Sequence, residues 1–326
     1  MSARVAVIST SYPRDAGDAA GHFVRCEVRA LVREGHDVHV LVPGRGSSNA
    51  GYPDGARVHW LEDHGAFGWP GALTRLAQHP TRSLGACAFT LRAARALHTL
   101  GPFASVQAHF LVPSGWPIAM ASSAPLEVVG HGSDVRLFCR LPSALRKHIA
   151  RRWLHRAARV RVTSSELAAL LREACPELGA RLEVRPSPLD VSGVPTRAEA
   201  RRSLAIPECA RVGLVVSRLI AGKRVDVALR ALSLLEEISV SVVGDGPELE
   251  SLRAQFPAVH FAGRLPRPEA LRFMAAADVV VSASVEEGAP SVVREARALG
   301  VPVVAVAAGD LASWAERDPG LLLVRR

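Results

Sequence analysis

The chain has 326 residues, 48% of them hydrophobic and 22% charged, and a formal net charge of +9. That length exceeds what one hydrophobic core usually serves and predicts two domains, while the balance of apolar and charged residues excludes a disordered or fibrous protein. No run reaches the roughly 18 consecutive apolar residues of a membrane-spanning helix.

The first apolar run, RVAVIS (4–9), is short and soon meets polar turn residues, so it reads as a strand and not as a secretory signal. A helical pattern over 22–34, a strand at 37–42 (DVHVLV) and a helix over 84–99 follow, then strands at 104–109, 126–130 and 159–163. The Pro- and Ser-rich stretch RPSPLDVSGVP (185–195) breaks the alternation and reads as a linker. Beyond it, strands at 211–216, 239–243, 258–262, 278–282 and 301–305 alternate with helices over 223–236, 246–255 and 266–276, and with one that Pro290 opens and Gly300 stops. Val-rich strands alternating with helices imply parallel sheets covered on both faces. The expected fold is therefore α/β, with two doubly wound, Rossmann-like domains at 1–188 and 189–326. Ligands of such sheets bind beyond the carboxyl ends of the strands, and the two domains are expected to turn those ends toward each other across a cleft.

Charge is unevenly spread. Residues 1–195 carry 23 Lys+Arg against 15 Asp+Glu (+8), and residues 196–326 carry 17 against 16 (+1). Nine basic residues and no acid lie between Arg136 and Arg161, with Leu145, Ile149, Trp153 and Ala157 recurring every four positions. The window reads as a basic amphipathic helix, either a solvated face or, through Arg146, Lys147, Arg151 and Arg152, a contact with an anionic membrane or lipid-linked acceptor. Nucleic acid is disfavoured, because aromatics total 5% and no recognition motif is present. Cys26, Cys87, Cys139, Cys175 and Cys209 are scattered without a CxxC pair, which argues against a disulfide framework or zinc site and for a reducing cytosol.

Five segments sit where chemistry is expected. VSRLIAGKR (216–224) lacks the Gly and Ser/Thr of a phosphate-binding P-loop, leaving Arg218 and Lys223 at the start of a helix, where an anion would offset their unfavourable placement. VVGDGPELESL (242–252) has Gly244 and Gly246 but Leu249 where a dinucleotide fingerprint needs its third Gly, so an NAD site is poorly supported and the segment reads more plainly as a tight turn with Pro247 opening a helix. In VVGHGSDVRL (128–137), His131 ends a strand and Asp134 follows in a turn; a neutral imidazole there suits a sugar hydroxyl or a departing oxygen, and a structural role fits equally. SYPRDAGDAAGHF (11–23) places Gly21 at a helix entrance. EEGAPSVVREARALG (286–300) puts Glu287 before a helix and Glu295 at the edge of its apolar stripe.

In this order the segments resemble the retaining glycosyltransferases of family four, which have the GT-B fold. The resemblance runs from about residue 4 to 324 and rests on GHFV…ALVREGHDVHVLVP, HGSDVRL, VSRLIAGKRVDVALRAL, VVGDGPELESL, VHFAGRL and EGAPSVVREARALGVPVVA, the last with the family's Glu-x7-Glu signature as Glu287 and Glu295. It implies a nucleotide-sugar donor held mainly by the second domain. Arg218 and Lys223 would take its diphosphate, Glu287 the transferred sugar and Glu295 the ribose. The backbone around Gly263 and Arg264 would border the base. Gly244, Gly288, Ala289, Pro290 and Ser291 would complete the donor site, and Gly21 would offer an amide from the first domain. His131 would stand near the reacting face of the sugar with Asp134 supporting its loop. The implied chemistry is front-face transfer with retention, without a metal or other cofactor, to a lipid-linked or cell-surface glycan acceptor in the first domain. The implied location is cytoplasmic, peripheral at the inner membrane face.

Two departures stand out: Gly288-Ala289-Pro290 replaces the family's usual glycine-rich loop, and Asp310 stands where a second Gly is common. The family also usually adds helices beyond the point where GLLLVRR ends this sequence. Alternatives are a sugar-nucleotide-binding protein without catalysis and a GT-B-fold epimerase acting on the free sugar nucleotide.

Overall fold

Runs in which nearly every residue is apolar make strands that are buried on both faces. In the computed structural model, which describes residues 2–15, 18, 20–45, 54–68, 71–285 and 287–325, such runs build two separate parallel sheets. Each sheet belongs to its own unit: Met1–Arg14 with Ala20–Pro188, and Asp15–Ala19 with Leu189–Arg326. Parts of the 11–23 and 286–300 segments, Glu286 among them, lie outside the described residues.

In the first unit the strands are β1 (Arg4–Ile8), β2 (Asp37–Pro43), β3 (Arg57–Leu61), β4 (Ser105–His109), β5 (Leu126–Gly130), β6 (Ala157–Val162) and β7 (Leu182–Val184). Their order is β3-β2-β1-β4-β5-β6-β7, parallel throughout. The helices are α1 (His22–Arg33), α2 (Ala72–Gln78), α3 (Ser83–Leu100), α4 (Ser133–Cys139), α5 (Ser143–Arg156) and α6 (Ser165–Ala174). Alternation along β1 sends Val5 and Val7 to one face, where Val24 and Val28 of α1 cover them. Ala6 and Ile8 face the other side, with Phe89 and Leu97 of α3.

The second unit holds β8 (Arg211–Val216), β9 (Ile238–Val243), β10 (His260–Gly263), β11 (Val279–Ser282), β12 (Val303–Val306) and β13 (Leu321–Val324), ordered β10-β9-β8-β11-β12-β13 and again parallel. Its helices are α7 (Arg197–Ser203), α8 (Val225–Ser233), α9 (Leu249–Gln255), α10 (Arg267–Ala276), α11 (Ser291–Ala298) and α12 (Leu311–Ala315). A capping box closes the start of α7, Thr196 and Glu199 satisfying each other's backbone N–H. Both sheets reverse their strand order once, between β1 and β4 and between β8 and β11. Such switch points leave a crevice for a ligand at the carboxyl ends of the two strands.

Several sequence expectations need correction. The basic window 136–161 is not one helix. α4 ends at Cys139, Pro142 caps α5, and Ala157 already belongs to β6, because proline denies the continuous helix a backbone N–H. Arg161 is fully buried, donating to Glu27 at 2.7 Å and Glu127 at 3.0 Å, and Arg136 pairs with Glu166 at 2.8 Å. Arg146 donates to the carbonyl oxygens of Ala174, Cys139 and Leu141. These three cations hold the fold, whereas Lys147, Arg151 and Arg152 are exposed on α5. Pro290 occupies the capping position of α11, one residue before its first turn. Strands β3, β7 and β13 were not expected: RVHWL mixes charge into the run, LEV is three residues long, and LLLV reads as a tail.

Candidate functional site

The switch point of the second unit is built from the loops after β8 and β11. After β8, the Ser217 amide continues the ladder onto Val243 O at 3.0 Å, and Leu219 N donates to Asp245 O at 2.9 Å, so this loop is laced to the one after β9. The lacing demands glycine at 244. Its φ is +152°, and a Cβ there would lie 1.7 Å from Ser217 O, an approach no other residue permits.

Ala221–Lys223 forms one turn of 3-10 helix, and Arg224 follows in the left-handed conformation (φ 48°) before α8 begins. Lys223 is therefore not at the mouth of α8 as expected. It sits on a separate turn, which carries its ammonium to the carboxylate of Glu287, with which it pairs. Both side chains are mostly enclosed, at 19% and 17% exposure. Burial lowers the Arg218 guanidinium below its ordinary range, and the nearby negative charge of Glu287 opposes that shift. Two cations and one carboxylate thus gather where this topology takes a ligand. Three N–H donors on the lysine and five on the arginine suit them to an oxygen-rich anion.

The Glu287 loop is held from behind by the loop after β12. Gly309 has φ 54°, and a Cβ on it would come within 2.4 Å of Gly288 O and 2.9 Å of Glu287 O. Asp310, where the resemblance expects Gly, occupies the N-cap position of α12 without a side-chain capping bond. Ala289, Pro290 and Ser291 carry the chain from this loop into α11.

Glu295 is not a boundary residue. It is 6% exposed and accepts from Arg267 Nη2 at 2.5 Å. The Arg267 guanidinium projects from the start of α10, and no local spacing announced it, because the partners are 28 residues apart. Gly263 ends β10, its carbonyl accepting from Gly244 N at 2.8 Å, and Arg264 follows in the turn before α10.

The first unit has its own cluster at the ends of β4 and β5. His131 follows β5, and the Asp134 carboxylate, in the first turn of α4, accepts from the backbone N–H of Leu111, His131 and Gly132 at 2.9–3.0 Å. Burial raises the Asp134 carboxyl, against the opposite pull of those N–H groups. His131 lies nearly coplanar with His109, the last residue of β4, the ring planes at 10° and the centroids 5.2 Å apart, with a ring nitrogen of each 3.0 Å from the other. Burial, and secondarily the Arg161 charge, lowers the His131 imidazole to about 3, and His109 is also well below its ordinary value, so both rings are neutral near pH 7. Phe23 and Phe110 flank His131 at 4.5 and 4.9 Å. Phe110 adopts φ 73°, a strained conformation for a bulky residue. Gly21 caps α1 in the left-handed region with φ 70°. His109 and its neighbour Gln107 were missed in the sequence. The signal was two polar side chains at alternate positions of an otherwise buried strand.

Residues 20–192 match the model of Glycosyltransferase Family 4, and residues 210–326 match that of Glycosyl transferases group 1. A putative teichuronic acid biosynthesis glycosyltransferase of Bacillus subtilis is 30% identical over 226 residues, 67% of this chain and 57% of the relative. A D-inositol 3-phosphate glycosyltransferase of Mycolicibacterium gilvum is 36% identical over 127 residues, 35% of this chain and 28% of that protein. The matched region thus spans less than two thirds of either relative. Among solved structures, sucrose-phosphate synthase from Thermosynechococcus elongatus superposes with a TM-score of 0.79 at 22% identity, covering 99% of this chain and 86% of the other. Anabaena HepE in complex with UDP-glucose gives 0.71 at 18%, covering 99% and 85%. At these identities the likeness is one of fold.

Proposed function

The chain belongs to glycosyltransferase family 4, and on that premise we propose that it moves a sugar from a nucleotide-sugar donor to a glycan or lipid-linked acceptor of the cell envelope. The observation that carries the reading is the grouping of Arg218, Lys223 and Glu287 at the switch point of the second unit.

As the bond between the anomeric carbon and the phosphate oxygen lengthens, negative charge collects on the departing nucleoside diphosphate. Arg218 and Lys223, already partly desolvated, stabilise that charge more strongly than they would in water. Lys223 has three N–H donors, so pairing with Glu287 leaves others for phosphate oxygens. Glu287 accepts from hydroxyls of the transferred sugar. Glu295, braced by Arg267, accepts from the ribose, and the turn at Gly263 and Arg264 borders the base. Gly21 offers its amide to the phosphate, and His131, its loop held by Asp134, serves the transferred sugar. The two cations take the part a divalent ion would play, so transfer runs without added metal. Attack comes from the face the diphosphate leaves, which retains the anomeric configuration; the acceptor hydroxyl gives its proton to the departing phosphate oxygen.

For the acceptor, the reading leans on the Bacillus relative, whose name assigns it to teichuronic acid biosynthesis. Lys147, Arg151 and Arg152 bring the enzyme to an anionic inner membrane face.

A thermal-shift panel of UDP-, GDP- and ADP-sugars tests the donor assignment. One of them at 100 times its Kd adds about 2.7 kcal/mol to the stability of the fold and raises Tm by several degrees. A flat response across the panel removes the donor site. Release of free nucleoside diphosphate that depends on an added acceptor separates transfer from mere binding and from epimerisation.

A further inference from the structure

A chain of hydrogen bonds runs from the interior of the first unit to His131. Glu127 on β5 accepts from Arg161 Nε at 3.0 Å and from Arg185 Nη2 at 3.3 Å. Its other oxygen is 3.0 Å from Gln107 Nε2 on the neighbouring strand β4. Gln107 Oε1 is in turn 3.1 Å from His109 Nε2, and His109 Nδ1 is 3.0 Å from His131 Nε2.

The direction of each bond is determined from one end. A carboxylate bound by two guanidinium groups only accepts, so Gln107 must turn its NH2 toward Glu127. That leaves Gln107 Oε1, also an acceptor only, facing His109, whose Nε2 must therefore carry the hydrogen. His109 is completely buried and neutral, so its Nδ1 is bare and accepts. His131 then has to donate through Nε2, and its own Nδ1 is left without a hydrogen. Among the described residues, that Nδ1 forms no hydrogen bond.

We propose that Glu127, Gln107 and His109 are positioning residues that lock His131 in the Nε2–H tautomer, so that it presents a bare Nδ1 to a hydroxyl of the transferred sugar. The proposal rests on the reading of this chain as a glycosyltransferase and adds the polarity of the contact. His131 accepts a hydrogen bond; it does not donate one to the departing oxygen. A donor sugar lacking the matching hydroxyl, or carrying a fluorine in its place, loses that bond and is discriminated against.

The test is a long-range 1H–15N correlation spectrum of the full chain labelled with 15N-histidine at pH 7.5, with signals assigned by comparison with His131→Gln and His109→Gln. The expected spectrum has protonated Nε2 and bare Nδ1 on both rings. A His131 ring protonated on Nδ1, or doubly protonated, in the native protein overturns the proposal. In Gln107→Leu the selection is lost: His131 shows mixed tautomers, and kcat falls at least about tenfold while the donor KM changes less. Retention of the single Nε2–H form in Gln107→Leu also overturns the relay. If the wild-type spectrum is as expected but no nucleotide sugar is turned over, the transferase reading fails and the tautomer lock stands. If turnover is measured and His131 carries its proton on Nδ1, the lock fails and the transferase reading stands.

Discussion

Lys223 and Glu287 illustrate how little a single residue says before its partner is known. Each alone is an ordinary solvated charge; paired after β8 beside a desolvated arginine, they form a compact, polarised cluster. Lys223→Ala and Glu287→Ala are each expected to lower kcat on the order of a hundredfold, measured as release of nucleoside diphosphate in the presence of acceptor. Near-normal turnover in either variant would remove that residue from the chemistry. The histidine pair gives a second prediction, on stability. Both rings are lowered below the 6.5 of an unfolded histidine, His131 to about 3, so as the pH falls below 6.5 the unfolded chain binds protons that the native one refuses. The stability contribution is complete above pH 6.5 and falls as the solution is acidified, by at most about 1.4 kcal/mol per pH unit for each ring. Urea midpoints at pH 7, 6 and 5 should drop more steeply for the native protein than for a His109→Gln/His131→Gln double variant. Equal slopes would mean that the rings are not held neutral.

Loops between elements show the cost of backbone approach. At Gly244 the chain passes so close to Ser217 O that a methyl group has no room, and Gly244→Ala should lose on the order of 4 kcal/mol in urea denaturation. Gly222 meets nothing within 4 Å, and Gly222→Ala should stay within about 0.5 kcal/mol of the native protein. Here sequence and structure part company in an instructive way. Val-rich strands and Gly/Pro punctuation revealed most of the alternation, because strand burial and helix caps are written in local residue types. The 3-10 turn under Lys223 was not legible, since a non-glycine residue in the left-handed conformation, Arg224, has no distinctive local signature. Nor was Arg267, which meets Glu295 only after α10 has been folded back against its sheet. The relay behind His131 was half legible: Gln107 and His109 alternate on β4, but their alignment with Glu127 depends on the register of β4 with β5.

For the whole molecule, the excess of positive charge belongs to one unit. Yet not every cation of that unit reaches solvent, since Arg161 is spent on the carboxylates of Glu27 and Glu127 and Arg146 on carbonyl oxygens. No helix among the described residues is long and apolar enough to cross a membrane; the proposed contact with anionic lipid rests on the exposed cations of α5. Charge reversal at Lys147, Arg151 and Arg152 together should abolish co-sedimentation with vesicles rich in anionic lipid and leave Tm nearly unchanged. Each near-surface cation contributes roughly 1 kcal/mol to such binding, so three reversals are decisive. Vesicle binding that survives them would move the membrane contact elsewhere.

The seat of Gly309 beneath the backbone of Glu287 and Gly288 has a consequence for anyone recombining these enzymes. The segment that presents the Glu287 carboxylate does not set its own height; the turn after the following strand bears directly on its backbone. A chimera that imports the 285–290 segment from a relative while keeping the host's 306–310 joins two surfaces that never matched. The smallest portable unit is therefore the two segments together, with α11 between them.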